Sequence, residues 1–238
     1  MPPIGIAPMT ELPTNPHPSA PQYFALSNYW IKLLAGSTMM IDHIGHIFFP
    51  DDPIWRLIGR LSFPLFCWLL VQGEDHTRNV WRYAGRLLLL AFLSQPLYQW
   101  TYSLNGSDLN ILFTLAIGLL CLRGSREFPA FELPIWLVGA LLATLLNSNY
   151  IAYGIAMIGL IRHFRPTVSW WAGWVLLHGF DFALSQSVTQ LFALPAPLIF
   201  YLANGKQGDR ARWFYLFYPG HLLLLGLINW YLARSAVG

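Results

Sequence analysis

Charge is scarce in this chain. Asp, Glu, Lys and Arg make up 11% of its 238 residues, against about 25% in an ordinary soluble domain, which is too little to cover a water-facing surface. Cysteine is scarcer: Cys67 and Cys121 each lie in an apolar run, which excludes a disulfide framework and a cysteine-based metal or redox centre. With 14 Lys and Arg in all, a basic nucleic-acid-binding face is hard to build, and no nucleic-acid partner is expected. No P-loop, GxGxxG, GxSxG or HExxH occurs, which removes several familiar enzyme classes. The seven histidines are scattered, so no metal site is expected.

What fills the chain instead is apolar. Hydrophobic residues reach 55%, aromatics 16% with 11 Trp, and the mean hydropathy is +0.46, the composition of a polytopic membrane protein with membrane lipid as its surroundings. The expected fold is all-α: a transmembrane helix bundle over residues 28–235 of about eight or nine spans, preceded by a proline-rich, nearly uncharged and disordered segment over 1–27. Apolar segments fall at 29–49, 57–74, 83–100, 110–122, 133–147, 149–162, 169–184, 187–203 and 213–233. Ten of the 14 basic residues (Arg78, Arg82, Arg86, Arg123, Arg126, Arg162, Arg165, Lys206, Arg210 and Arg212) sit in alternate connections, while 101–110, 147–150 and 181–187 hold none. The positive-inside rule makes the basic side cytoplasmic and places the N-terminus there. Arg56 and Arg234 are the exceptions.

Ionisable residues at membrane depth are costly and mark function. The first segment carries Lys32, Asp42, His43 and His46. Lys32 and His43 are eleven residues apart, about three turns and roughly 16 Å along one helix face. Asp42 and His46 stand at i, i+4 and can touch. A histidine suits removal of a proton from an amine or hydroxyl, and Asp42 either orients His43 or pairs elsewhere. Arg60, one turn before Pro64, can neutralise Asp42 or stabilise an oxyanion. Asp108 reads as a helix cap, His178 with Asp181 as a second His–carboxylate pair or an interfacial helix end, and His221 as a satisfied core histidine or, beside Pro219 and Gly220, which can expose backbone to a ligand, as a functional one.

Five motifs in order carry a resemblance: Lys32…Met39-Met40-Ile41-Asp42-His43-Ile44; Gly59-Arg60-Leu61-Ser62-Phe63-Pro64-Leu65-Phe66; Asn110-Ile111-Leu112-Phe113; Tyr153-Gly154-Ile155-Ala156; and Phe217-Tyr218-Pro219-Gly220-His221-Leu222. Across about residues 28–230 the chain resembles the TraX family, inner-membrane proteins of conjugation systems whose named activity is N-acetylation of F pilin. The resemblance implies an acetyl-CoA-dependent acyltransferase of the bacterial inner membrane, with the processed N-terminus of a pilin subunit as its substrate. Lys32-x10-His43 is also similar to the spacing of a basic residue and an intramembrane His in wider membrane acyltransferases.

Joined to the residues, the resemblance implies acyl-CoA phosphates near Lys32, Arg78, Arg82 and Arg86. It implies His43 as the base held by Asp42, Arg60 or Asn110 at the oxyanion, and His221 as a second acid/base or transient acyl carrier. A proton-coupled transporter and a non-catalytic pilin-assembly factor are the competing readings; both also place His, Asp and Arg at depth.

Overall fold

In a computed structural model the chain is described over residues 25–104, 108–209, 211 and 213–235. Most of the proline-rich lead, Asn105, Ser107, Arg210 and Arg212 lie outside these. The described residues are helical, with no strand among them. In order come α1 (Asn28–Phe48), α2 (Pro53–Gly59), α3 (Ser62–His76), α4 (Val80–Thr101), α5 (Ile111–Glu127), α6 (Glu132–Leu145), α7 (Ile151–Arg162), α8 (Val168–Ser185), α9 (Ala196–Tyr201) and α10 (Phe214–Ser235); 3-10 turns at Pro129–Phe131 and Val188–Ala193 precede α6 and α9.

Two helical stretches, Pro53–His76 and Phe214–Ser235, are long and apolar enough to cross a membrane, and Pro129–Leu145, Ile151–Arg162 and Val188–Tyr201 are shorter apolar helices. The exterior suits that setting. Leu133, Leu137, Val138, Leu141 and Leu145 on α6, and Leu176, Phe180 and Leu184 on α8, are exposed. Asp42, Arg60, Glu74, His178 and His221 are buried instead. The exterior is thus as apolar as the core, and the few buried polar groups must find partners within the bundle.

The expected second segment is not one helix. Its chain breaks at Arg60 and Leu61, where Arg60 caps α2 and Leu61 precedes α3. Pro64 sits in the first turn of α3, where a missing N–H costs little. The eighth segment is likewise divided: Leu194 and Pro195 separate the 3-10 turn from the six-residue α9, whose second residue is Pro197. Asp108 is not the cap of α5. Asn110 is, its Oδ1 accepting from Leu112 N at 3.0 Å. Asp108 instead accepts through its main-chain oxygen from Gln95 Nε2 and through its side chain from Asn147.

α3 and α5 pack together and against α7 in the middle of the bundle, α1 lies on α2 and α3, and α10 closes the ring between α1 and α4. Thr101 Oγ1 donates to Leu222 O at 3.0 Å and fastens α4 to α10. At one end Glu74, whose side chain is 1% exposed, meets Arg126 at 2.8 Å and Arg123 at 3.5 Å. Beside them Glu132 accepts from His163 at 3.0 Å and lies 3.3 Å from Arg162. The His163 hydrogen bond, then the Arg162 charge, holds the Glu132 carboxyl below the usual carboxylate range. Any stability this contributes is present above that range and fades as pH falls through it.

α1 and α2 approach each other closely, and glycine makes it possible. A methyl group on Gly45 would lie 2.1 Å from Trp55 Cβ, and one on Gly59 would lie 2.2 Å from Asp42 Cβ. Each is far inside van der Waals contact, so any side chain forces the helices apart. Gly59→Ala should therefore lower stability by about 1–3 kcal/mol, read as a lower thermal midpoint of the purified protein in detergent, whereas Gly85→Ala, with open space around it, should leave the midpoint unchanged.

Candidate functional site

Met39, Asp42, His43 and His46 recur at the i, i+3, i+4, i+7 spacing of one helical face, and that face of α1 lines a cavity of about 260 Å³. Across it stand Arg56, Gly59 and Arg60, then Tyr98, Tyr102, Asn149, Tyr150 and Tyr218. Asp42 does not orient His43. Consecutive helical residues diverge by about 100°, and the Asp42 carboxylate turns to α2, where Arg60 Nη2 donates to it at 2.5 Å and Arg56 Nε approaches to 3.6 Å. Arg60 is held at two further points, donating from Nη1 to Tyr150 Oη at 3.2 Å and from Nε to Arg56 O at 3.2 Å. With side chains 7% and 12% exposed, Arg60 and Asp42 form a desolvated pair.

His43 is oriented by His221 instead. His43 Nδ1 and His221 Nε2 are 2.7 Å apart, and His221 Nδ1 is 2.8 Å from Phe217 O. A carbonyl only accepts, so His221 Nδ1 carries a hydrogen. In the neutral ring its Nε2 accepts in turn, and His43 Nδ1 must donate. The remaining nitrogen, His43 Nε2, keeps its lone pair. Phe217 stacks on His221, and Tyr102 meets His43 edge-on, which fixes both rings. His46 is exposed and lies against Tyr102 rather than joining the pair.

A second cavity of about 450 Å³ adjoins the first, sharing Met39, Phe66, Ile111 and Tyr218 as wall. Its sides are apolar, from Leu69, Leu87, Leu112 and Leu115 among others, and Asn28, Lys32, His76 and Arg86 contribute polar groups. Asn28 is 2% exposed, and among the described residues its Oδ1 has no hydrogen-bond partner. Thr77 and Arg86 are shared with an open groove formed by Arg78, Asn79, Arg82, Gly85 and Leu89. Asn79 Oδ1 caps α4 by accepting from Arg82 N at 2.9 Å, so the three arginines, four residues apart, surround the positive end of a 22-residue helix. Among the described residues no carboxylate lines the groove, and it is suited to anions.

The structure therefore brings His43 together with His221, and Asp42 with Arg60, around one cavity. It brings Arg78, Arg82 and Arg86 together at a groove, with Lys32 inside the cavity that the groove adjoins. It does not bring Asn110 to this place. Both amide hydrogens of that buried residue are committed, to Ala91 O and to Gln95 Oε1, each at 2.8 Å. His178 and Asp181 are also elsewhere: His178 is bonded to Trp174 O and packed against Tyr153.

Sequence reasoning missed Arg56 as an Asp42 partner, although its breach of the charge asymmetry, four residues before Arg60, was a signal. It missed Asn149 and Tyr150, which a short polar turn presents. Asn147, Tyr150 and Ile151 take φ of 47°, 65° and 36°, left-handed conformations that cost of order 1–3 kcal/mol each and persist only where surrounding contacts impose them. Here Leu109 N donates to Asn147 O at 3.1 Å and Asn149 N to Leu109 O at 3.0 Å. Thr114 donates to Asn149 O, and the Tyr150 ring stacks on Phe63 with centroids 4.0 Å apart.

Comparison with known proteins adds the following. The model of the family described as TraX protein matches residues 27–229. A protein of Dichelobacter nodosus described as "Probable fimbrial assembly protein FimC, serogroup H1" is 33% identical over 231 residues, covering 84% of this chain and 94% of that protein. "Uncharacterized protein RP591" of Rickettsia prowazekii (strain Madrid E) is 49% identical over 37 residues, 16% of this chain and 15% of that protein. No solved structure matches.

Removing one member of a buried ion pair strands the other, at about 3–5 kcal/mol. Arg60→Leu should destabilise the protein by that order, and Asp42→Leu/Arg60→Leu should unfold at a higher temperature than either single variant. A double-mutant cycle of thermal midpoints in detergent reads the coupling.

Proposed function

This chain belongs to the TraX family, and on that premise we propose that it serves pilus assembly as a multi-pass inner-membrane N-acyltransferase, its N-terminus cytoplasmic, with acetyl-CoA as donor and the mature N-terminus of a pilin subunit as acceptor. One observation carries the reading: His43 Nε2, left with its lone pair by the His221 contact, belongs to a cavity that shares a wall with a second cavity leading to an arginine groove. The fimbrial assembly name of the Dichelobacter nodosus relative supports the pilin part.

The residues fit a CoA thioester. Arg78, Arg82 and Arg86 with the α4 N-terminus suit its phosphates, the apolar cavity suits the pantetheine arm, and the orphaned Asn28 Oδ1 is an acceptor for an amide N–H. Lys32 adds a cation on the way in.

In the reaction the pilin amine attacks the thioester carbonyl carbon, giving up a proton to His43 Nε2. The His43 imidazolium is steadied by donating through Nδ1 to His221. Collapse of the tetrahedral adduct breaks the carbon–sulfur bond, and the proton passes to the departing thiolate, leaving an amide and a free thiol. Because His43 and His221 act as a unit, loss of either removes the base or its orientation, and their effects are not additive. Arg60, held across the cavity by its ion pair with Asp42, keeps a guanidinium beside the developing oxyanion.

The intact mass of mature pilin from cells carrying wild-type protein, His43→Ala or no protein tests this. One acetyl increment on the pilin N-terminus should appear with wild type alone. Identical masses in all three strains would remove pilin acylation and leave a non-catalytic assembly role. Arg78→Ala/Arg82→Ala should raise KM for acetyl-CoA in isolated membranes with kcat changed much less.

A further inference from the structure

We propose that Asn149 is a catalytic residue: its side-chain amide donates to the carbonyl oxygen of the acyl group during transfer, forming with Arg60 a two-donor oxyanion hole. The inference deepens the acyltransferase reading and rests on it.

Asn149 lines the cavity that holds His43, on a different wall from α1. Asn149 Nδ2 donates one hydrogen to Tyr98 Oη at 3.1 Å, and among the described residues the other has no protein partner, so it is left for a group in the cavity. The side chain is held by Tyr98, and the backbone on either side is held more tightly: the Asn149 carbonyl by Thr114, its N–H by Leu109 O, and the next residue in a left-handed conformation on Phe63. A donor fixed before the reaction needs no reorganisation when charge develops, which is what gives such groups their effect.

Arg60 converges on the same wall, because its Nη1 is bonded to the hydroxyl of Tyr150, the residue next to Asn149. Its charge is already engaged by Asp42, and three of its five N–H groups are spent on Asp42, Tyr150 and Arg56. Asn149 therefore supplies what Arg60 only partly retains, a donor not committed elsewhere. Asn110, another amide near this end of the bundle, is fully used within α4 and α5.

Transfer of labelled acetyl from acetyl-CoA to purified mature pilin, in membranes bearing wild type, Asn149→Ala, Asn149→Asp or Tyr98→Phe, tests the assignment. Loss of the donor should lower kcat about 10²–10³-fold with KM for acetyl-CoA within about threefold. Asn149→Asp keeps the shape while replacing the donor with an acceptor, so it should be no more active than Asn149→Ala. Tyr98→Phe, which releases the amide but keeps it, should lose less than either. Thermal midpoints in detergent accompany each variant, and Asn149→Asp carries the test should Asn149→Ala fail to fold. Near-wild-type kcat in folded Asn149→Asp, or a loss confined to KM, would overturn the assignment and leave the acyltransferase reading intact. No transfer by wild type would overturn both.

Discussion

A carboxylate and a guanidinium shut away from water determine how the rest of this bundle is arranged. Asp42 and Arg60 must meet, since either alone at that depth would be a stranded charge. For them to meet, the α1 and α2 backbones must nearly touch, which is why Gly59 stands against Asp42 and why the helix ends at Arg60 instead of running on into α3. With Asp42 turned toward α2, the next residue of α1 is carried round the helix toward α10, where His221 receives it. The dyad is thus a by-product of the ion pair's geometry. Tyr150 extends the same logic, tying the guanidinium to the turn before α7.

Much of this was legible in the sequence. The apolar segments anticipate where helices lie, because burial or lipid contact needs uninterrupted apolar runs. His43, His221, Asp42 and Arg60 stood out as polar groups where polarity is expensive. Who partners whom was not legible. Adjacency in sequence suggested that Asp42 serves His43, whereas the helical 100° step separates them and tertiary packing reassigns both. The expected Asp108 cap went to Asn110 for a similar reason: either residue type can cap, and only the backbone path decides which one does. Asn149 was invisible because a single Asn in a short turn has no periodic or charge signature, and its place in the cavity wall comes from left-handed neighbours that a sequence does not display.

The site divides between rigid and strained parts. His43, His221 and Asp42 ride on long helices whose positions are averaged over many packing contacts. The opposite wall is a turn held in unfavourable backbone angles by hydrogen bonds from α5 and the segment before it. The chain thus secures the two walls by different means.

The two cavities have a consequence for the membrane itself. They share only Met39, Phe66, Ile111 and Tyr218, three of them without a hydrogen-bonding group. In an energised bilayer a continuous file of water through that point would conduct protons and dissipate the gradient. The apolar side chains of that shared wall interrupt such a file.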